Sequence, residues 1–184
     1  MTRVLWIVGV ALSARGALGA DPRVELPVAV RTQASIDSAL AFLLATQQPD
    51  GGWPAFDKPH PAVTALAVSA RAADPTFGPE HSAVRKGAAF MLKSVQSDGG
   101  IYVEADNMPN YHTSVALMAL ASLQDRAHTQ TITKAQGFLK QLQWDEGEGH
   151  EASSAWYGGA GYGRSKRPDL SNTQLMLEAL HQSG

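Results

Sequence analysis

Apolar positions along this chain fall into stripes at helical spacing, and the stripes recur. Ile36, Leu40, Leu43 and Leu44 share one face, broadened by Phe42, which predicts a helix from about Ser35 to Gln47. The run Pro49-Asp50-Gly51-Gly52 ends it, with glycine available for a left-handed turn. A second helix starts near Pro61 and runs to about Ala72. It is small and apolar nearly all round, which predicts burial on more than one side. Val84, Ala88, Met91, Leu92 and Val95 mark a third helix from about His81 to Val95, and Ser97-Asp98-Gly99-Gly100 is its turn. A fourth starts near Asn110, a fifth covers about Thr131 to Gln143, and a sixth covers Asn172 to about Gln182. Upstream, Pro22 to Thr32 reads as an extended, Pro-punctuated connector.

The pattern has a period. Phe42, Phe90 and Phe138 stand 48 residues apart, each followed by Leu or Met and then by a Gln, an acid and a Gly. Thr64, Thr113 and Thr173 occupy matching places in the second helix of each pair, at spacings of 49 and 60, which puts an insertion in the third pair at Ala152 to Arg167. The fold class is therefore all-α, built from three helical-hairpin repeats. Such units cannot bury their apolar faces alone. The expected answer is a homo-oligomer or a missing second half.

Composition narrows the function. With 184 residues, 44% hydrophobic, the chain suits one globular domain, and a formal charge of −2 with scattered Lys and Arg leaves no basic footprint for nucleic acid. No run of 18 apolar residues is present, so no transmembrane segment is expected. Residues 1–20 read as a signal peptide. Arg3 is its positive start, Val4 to Leu12 its apolar core, Ala17-Leu18-Gly19 its cleavage region, and Asp21-Pro22 breaks any continuing helix. The protein is thus expected to be exported, to the periplasm or outside the cell. Residues 21–33 serve as a linker and 34–184 as the repeat domain. With no cysteine, no disulfide, thiolate nucleophile or thiolate metal ligand is available.

The repeat resembles the QW motif of squalene–hopene and oxidosqualene cyclases and, more widely, the prenyltransferase superfamily. The first hairpin carries it in Phe42, Leu43, Gln47, Gly51 and Trp53. The second carries Lys86, Gly87, Phe90, Gly99 and Gly100, with Gln96 shifted by one place and Ile101 where Trp is expected. The third carries Lys134, Ala135, Phe138, Gln143 and Gly147, with Gly149 in place of Trp. Gly51 to Asp57 also resembles the cyclases' GGWxAFD stretch. The resemblance implies a toroid whose outer helices precede each turn and whose inner helices follow it. Three hairpins would be half of a full α/α barrel.

It also implies a chemistry, in which an aspartic acid of an Asp-x-Asp-Asp motif protonates an alkene in an apolar cavity. Asp169 matches the first position before Thr173, but Ser171 and Asn172 replace the next two, the proton donor among them. Ser171 with Gln174 reads as a capping box. Asp169 and Asp57 remain as candidate catalytic carboxylates. Trp156, Tyr157, Tyr162, His112 and Asn172 are candidates to face an isoprenoid-type ligand. The aromatic, glycine-rich stretch from Trp156 to Gly163 reads either as a cavity mouth or as a packed loop. Asp145 to Glu151 reads as a solvated acidic turn and not as a metal loop, and no metal or cofactor is expected. His60, His112 and His181 have no partner visible in the sequence. Two further readings stand beside a degenerate cyclase. One is an exported binding or protein-interaction module. The other is a carbohydrate-active toroid using two of Asp57, Asp106 and Asp169.

Overall fold

The computed structural model describes residues 27–75, 77–163 and 167–184. The expected signal peptide, 1–20, and most of the expected linker lie outside these residues. The chain divides into two compact units, Met1–Ile36 and Asp37–Gly184. Among its described residues the first unit holds the opening turns of helix α1 (Val28–Thr46), whose start is marked by the Pro27 carbonyl accepting from Val30 and Arg31. The helix therefore begins seven residues before Ser35, and residues 28–32 are not an extended connector. Pro27 sits ahead of the first turn, and the stretch after it holds neither Gly nor Pro to interrupt a helix. Among the described residues α1 is the one helix long and apolar enough to cross a membrane by length and composition, although Arg31, Gln33 and Asp37 interrupt it.

The second unit continues with α2 (Pro61–Ala72), α3 (Ser82–Leu92), α4 (Pro109–Leu123), α5 (Thr129–Lys140) and α6 (Leu170–Gln182). Among the described residues the architecture is all-α apart from one small antiparallel ribbon, β1 (Pro54–Ala55) with β2 (Lys58–Pro59), which the sequence did not announce. Helix α4 lies between α2 and α6. Its run of Ala, Ser and Thr lets both neighbours approach, and residues from Pro109 to Leu123 are buried around nearly its whole circumference. Trp53, Val84, Met91, Ile101, Leu120, Leu139 and Met176 complete the core. Helix α1 buries only Leu40. Hydrogen bonds hold it instead: the buried Arg71 guanidinium donates to the Leu40 carbonyl at 2.8 Å and lies over the Phe77 ring, and Trp53 Nε1 donates to the Leu43 carbonyl.

One joint is built three times. The N–H of Gln48, Gln96 and Trp144 donates to the carbonyl of Gly52, Gly100 and Gly159 at 2.9, 2.8 and 2.8 Å. A return bond runs from Gly51, Gly99 and Gly158 to the carbonyl of the same three residues. The N–H just past each glycine pair, on Trp53, Ile101 and Ala160, donates to the hydroxyl of Thr64, Thr113 and Thr173 at 2.9, 3.0 and 2.9 Å. These are the three threonines that matched in sequence, and each one clamps the turn to the helix that follows.

The joint corrects the third repeat. Its glycines are Gly158 and Gly159, not Gly147, and Ala160 stands at the Trp53 position. Gly147 instead lies in a 3-10 turn (Glu146–Glu148), where its N–H donates to Asp145. Two residues separate Gln48 from Gly51, whereas thirteen, 145–157, separate Trp144 from Gly158. The 11 extra residues therefore precede the glycines and do not extend to Arg167. In the first two hairpins the turn also presses on the next hairpin. A methyl group at Gly51 would lie 2.4 Å from the Lys86 carbonyl oxygen, and one at Gly99 2.8 Å from that of Lys134. The rings of Phe90 and Phe138 lie against Gly52 and Gly100. Gln47 bridges this contact, donating to Gly51 of its own turn and to Ala83 of α3. Gln143 bonds Gly158 in the same way, while Gln96 reaches the Tyr102 carbonyl, consistent with its shifted place.

Candidate functional site

The N-terminal ends of α2 and α4 bring His60 together with Asp106 and His112, 46 and 52 residues further along the chain. His60 is the N-cap of α2, Asp106 closes a 3-10 turn (Glu104–Asp106) before α4, and His112 lies in the first turn of α4. His60 Nε2 lies 2.6 Å from Asp106 Oδ2, and His112 Nε2 lies 3.7 Å from the same oxygen. The two imidazoles meet edge to face with centroids 4.8 Å apart.

Backbone bonds set the tautomers. His60 Nδ1 accepts from the Ala62 N–H at 3.2 Å, and His112 Nδ1 accepts from the Val103 N–H at 3.4 Å. A ring nitrogen that accepts carries no proton, so each neutral ring holds its proton on Nε2, facing Asp106. Burial, then the neighbouring His60, pushes His112 down to about 4 against the opposing pull of Asp106. His112 is thus a neutral, buried ring at ordinary pH, with Nε2 3.7 Å from the carboxylate.

This donor set fits a metal ion poorly, although its ligand atoms all lie within 4.8 Å of one another. A histidine that binds metal through Nε2 normally donates from Nδ1 to an oxygen. Here both Nδ1 atoms face backbone donors, and both Nε2 atoms carry the proton. The same bonds take up the lone pair that either ring would need as a general base. The cluster is a brace, in which one carboxylate gathers the heads of two helices.

Asp169 is also a helix-head residue, as the N-cap of α6. Its Oδ1 accepts from the Asn172 N–H at 2.7 Å and from Ser171 Oγ at 2.8 Å, while Oδ2 accepts from Asn172 Nδ2 at 2.8 Å. The capping residue is therefore Asp169 and not Ser171, whose hydroxyl supports the cap. The Asn172 N–H foremost, with the Ser171 and Asn172 side chains, holds the Asp169 carboxyl below the usual carboxylate range, against a smaller upward push from burial. Asn172 is buried.

The sequence candidates meet only in part. Trp156, Tyr157 and Asp169 line one shallow recess with Pro168, Leu170 and Thr173. Asp57 is not among its lining residues; it sits in the exposed turn of the β1–β2 ribbon beside Phe56, a fully exposed ring at φ 57. His112 belongs to the brace. Tyr162 lends its carbonyl to the Asn110 N–H, and the Asn110 side chain reaches the Gly161 carbonyl, so this loop laps over the head of α4. The inserted segment packs on itself. Trp144 stacks on His150 at 4.9 Å, Trp156 meets Trp144 edge-on at 5.5 Å, and Tyr157 donates to Glu146. Of the three carboxylates considered for glycoside cleavage, Asp106 is engaged by His60 and Asp169 by its own helix end.

His60 and His112 thus have the partner the sequence hid. Asp106 lies 46 residues from His60 and falls outside the repeat. The only signal for it was a His ahead of Pro61 and another after Pro109, both at helix starts.

No family model matches the chain, and no curated protein matches it.

Proposed function

We propose that this protein is an exported interaction module on a squalene-cyclase- and prenyltransferase-like hairpin scaffold, arranged as part of a toroid, and not a working cyclase. The state of Asp169 carries this reading. A carboxyl that protonates an alkene must be kept neutral, which requires an apolar setting and a raised pKa. Asp169 is held as an anion by the N–H of Asn172 and two side-chain donors. The solid packing of α4 supports the reading too, because the helix following the second turn faces neighbours on nearly every side and not an open cavity. The test is to incubate the purified protein with squalene and polyprenyl substrates and analyse the extract. No cyclised product is expected. A cyclised product that disappears in Asp169→Asn would overturn the proposal.

A second reading keeps an isoprenoid-type ligand without turnover. The exposed Trp156, Tyr157 and Leu170 side chains at the recess favour it. Quenching of tryptophan fluorescence by a polyprenyl alcohol, lost in Trp156→Ala, would support it, and an unchanged spectrum would sink it.

A further inference from the structure

The repeated joint leaves one half of itself at each end of the array. In the first two hairpins the glycine pair is buried, and its second glycine touches two groups: a ring of its own hairpin, Pro59 or Tyr102, and the Phe of the next hairpin, Phe90 or Phe138. In the third hairpin the three described atoms nearest to a methyl group at Gly159 belong to Pro168 of its own hairpin and to the Trp156 carbonyl, where Gly52 and Gly100 have a Phe ring among theirs. Among the described residues a methyl group at Gly158 would meet only Gln143 Nε2, at 3.6 Å, where those at Gly51 and Gly99 would strike a helix carbonyl. Gly158 and Gly159 are partly exposed. Among the described residues Gln143, which matches the Gln47 that crosses to Ala83, makes only the bond within its own turn.

At the other end the reverse holds. Phe42 stands at the repeat position of Phe90 and Phe138, yet its ring is 66% exposed, whereas Phe138 is 7% exposed. Ala39, one turn earlier, matches the small residues Gly87 and Ala135 that those joints bury, and it too is exposed. Among the described residues, then, one Phe stands without a glycine pair and one glycine pair without a Phe.

We infer that two copies of this chain associate head to tail, with Phe42 and Ala39 of one copy seated on Gly158 and Gly159 of the other. The contact repeats between chains the junction that the protein already makes twice within itself. It rests on the interaction-module reading and names the partner. The two contacting surfaces differ, so the contact is heterologous, and it closes into a ring or extends into a chain according to the rotation at each joint.

The experiment uses mass measurement by light scattering or sedimentation over a concentration series. The purified protein should show a mass above that of one copy that falls on dilution. Phe42→Asp places a charge on the head and leaves the core alone. Gly158→Asn blocks the tail with a residue that tolerates positive φ and whose Cβ makes only an ordinary contact, 3.6 Å from Gln143 Nε2, among the described residues of a single copy. Each variant alone should be monomeric with the circular dichroism of the parent, its association weakened at least tenfold. An equimolar mixture should restore a two-copy species, because one intact head and one intact tail remain. A parent that stays monomeric at every concentration overturns the inference, as does a mixture that fails to associate. Neither result touches the interaction-module reading, which the cyclisation assay tests separately.

Discussion

His60 donates from Nε2 to Asp106 Oδ2 across 2.6 Å, and this one bond ties the head of α2 to the loop that leads into α4. Both partners are largely shielded, and the acceptor is a carboxylate, so the bond belongs to the stronger class. Asp106→Asn should cost about 1–2 kcal/mol in urea unfolding. His60→Ala should cost more, since it also removes the cap on the Ala62 N–H, for a further ~1 kcal/mol. Equal costs for the two variants would contradict the double role of His60.

The buried His112 predicts an acid-labile fold. Its pKa falls from 6.5 in the unfolded chain to about 4 in the folded one. Above pH 6.5 both states are neutral at this site and stability is level. Between pH 6.5 and 4 the unfolded state takes up a proton that the folded state refuses, so stability drops, by about 3 kcal/mol at most. Below 4 the loss from this group levels off. Urea melts at pH 7, 5.5 and 4 should show the fall, and His112→Gln should flatten this part of the profile. An equal fall in that variant would place the acid sensitivity elsewhere.

The three joints give a graded test of docking. Gly51→Ala and Gly99→Ala force both a left-handed residue and a clash with a helix carbonyl, so each should cost about 3 kcal/mol or more. Gly158→Ala carries only the backbone penalty, about 1 kcal/mol, in the single copy. Chemical denaturation of dilute protein reads all three. A cost at Gly158 equal to that at Gly51 would mean that the third turn is already packed.

The threonine clamps should be sensitive to a change that keeps their shape. Thr64→Val and Thr113→Val leave the buried N–H of Trp53 and Ile101 without an acceptor, at about 1–3 kcal/mol each. Thr→Ser at the same sites should recover most of the loss. If Val and Thr prove equivalent, these hydroxyls do not hold the turns.

Much of this was legible in the chain. The spacing of Phe42, Phe90 and Phe138 marks three of the helices, and two of these rings, Phe90 and Phe138, lie against the glycine turn that precedes their own helix, at Gly52 and Gly100. The three threonines were also visible, and the structure supplies their task. The third glycine pair was misread because counting forward by 48 lands on Gly147, where an acidic turn happens to supply a glycine. Counting back from the threonine would have found it, since the pair ends 12, 13 and 14 residues before Thr64, Thr113 and Thr173. The onset of α1 is hidden in the sequence because the same residue type that breaks a helix, proline, here stands just ahead of one at Pro27. The His60–Asp106–His112 brace was beyond any periodic reading. It depends on a loop crossing from one hairpin to the head of another, and each of its residues occurs once.

The bracket from Trp144 to the Gly158–Gly159 pair closes with the same two backbone bonds as the one from Gln48 to Gly51–Gly52, although thirteen residues lie ahead of the glycines in place of two. Lengthening a closed loop adds only about 0.6 kcal/mol per doubling. The third turn is thus a natural address for carried sequence: foreign peptides, tags or recognition loops can be grafted between Asp145 and Tyr157 while the clamp at Thr173 keeps α6 in register.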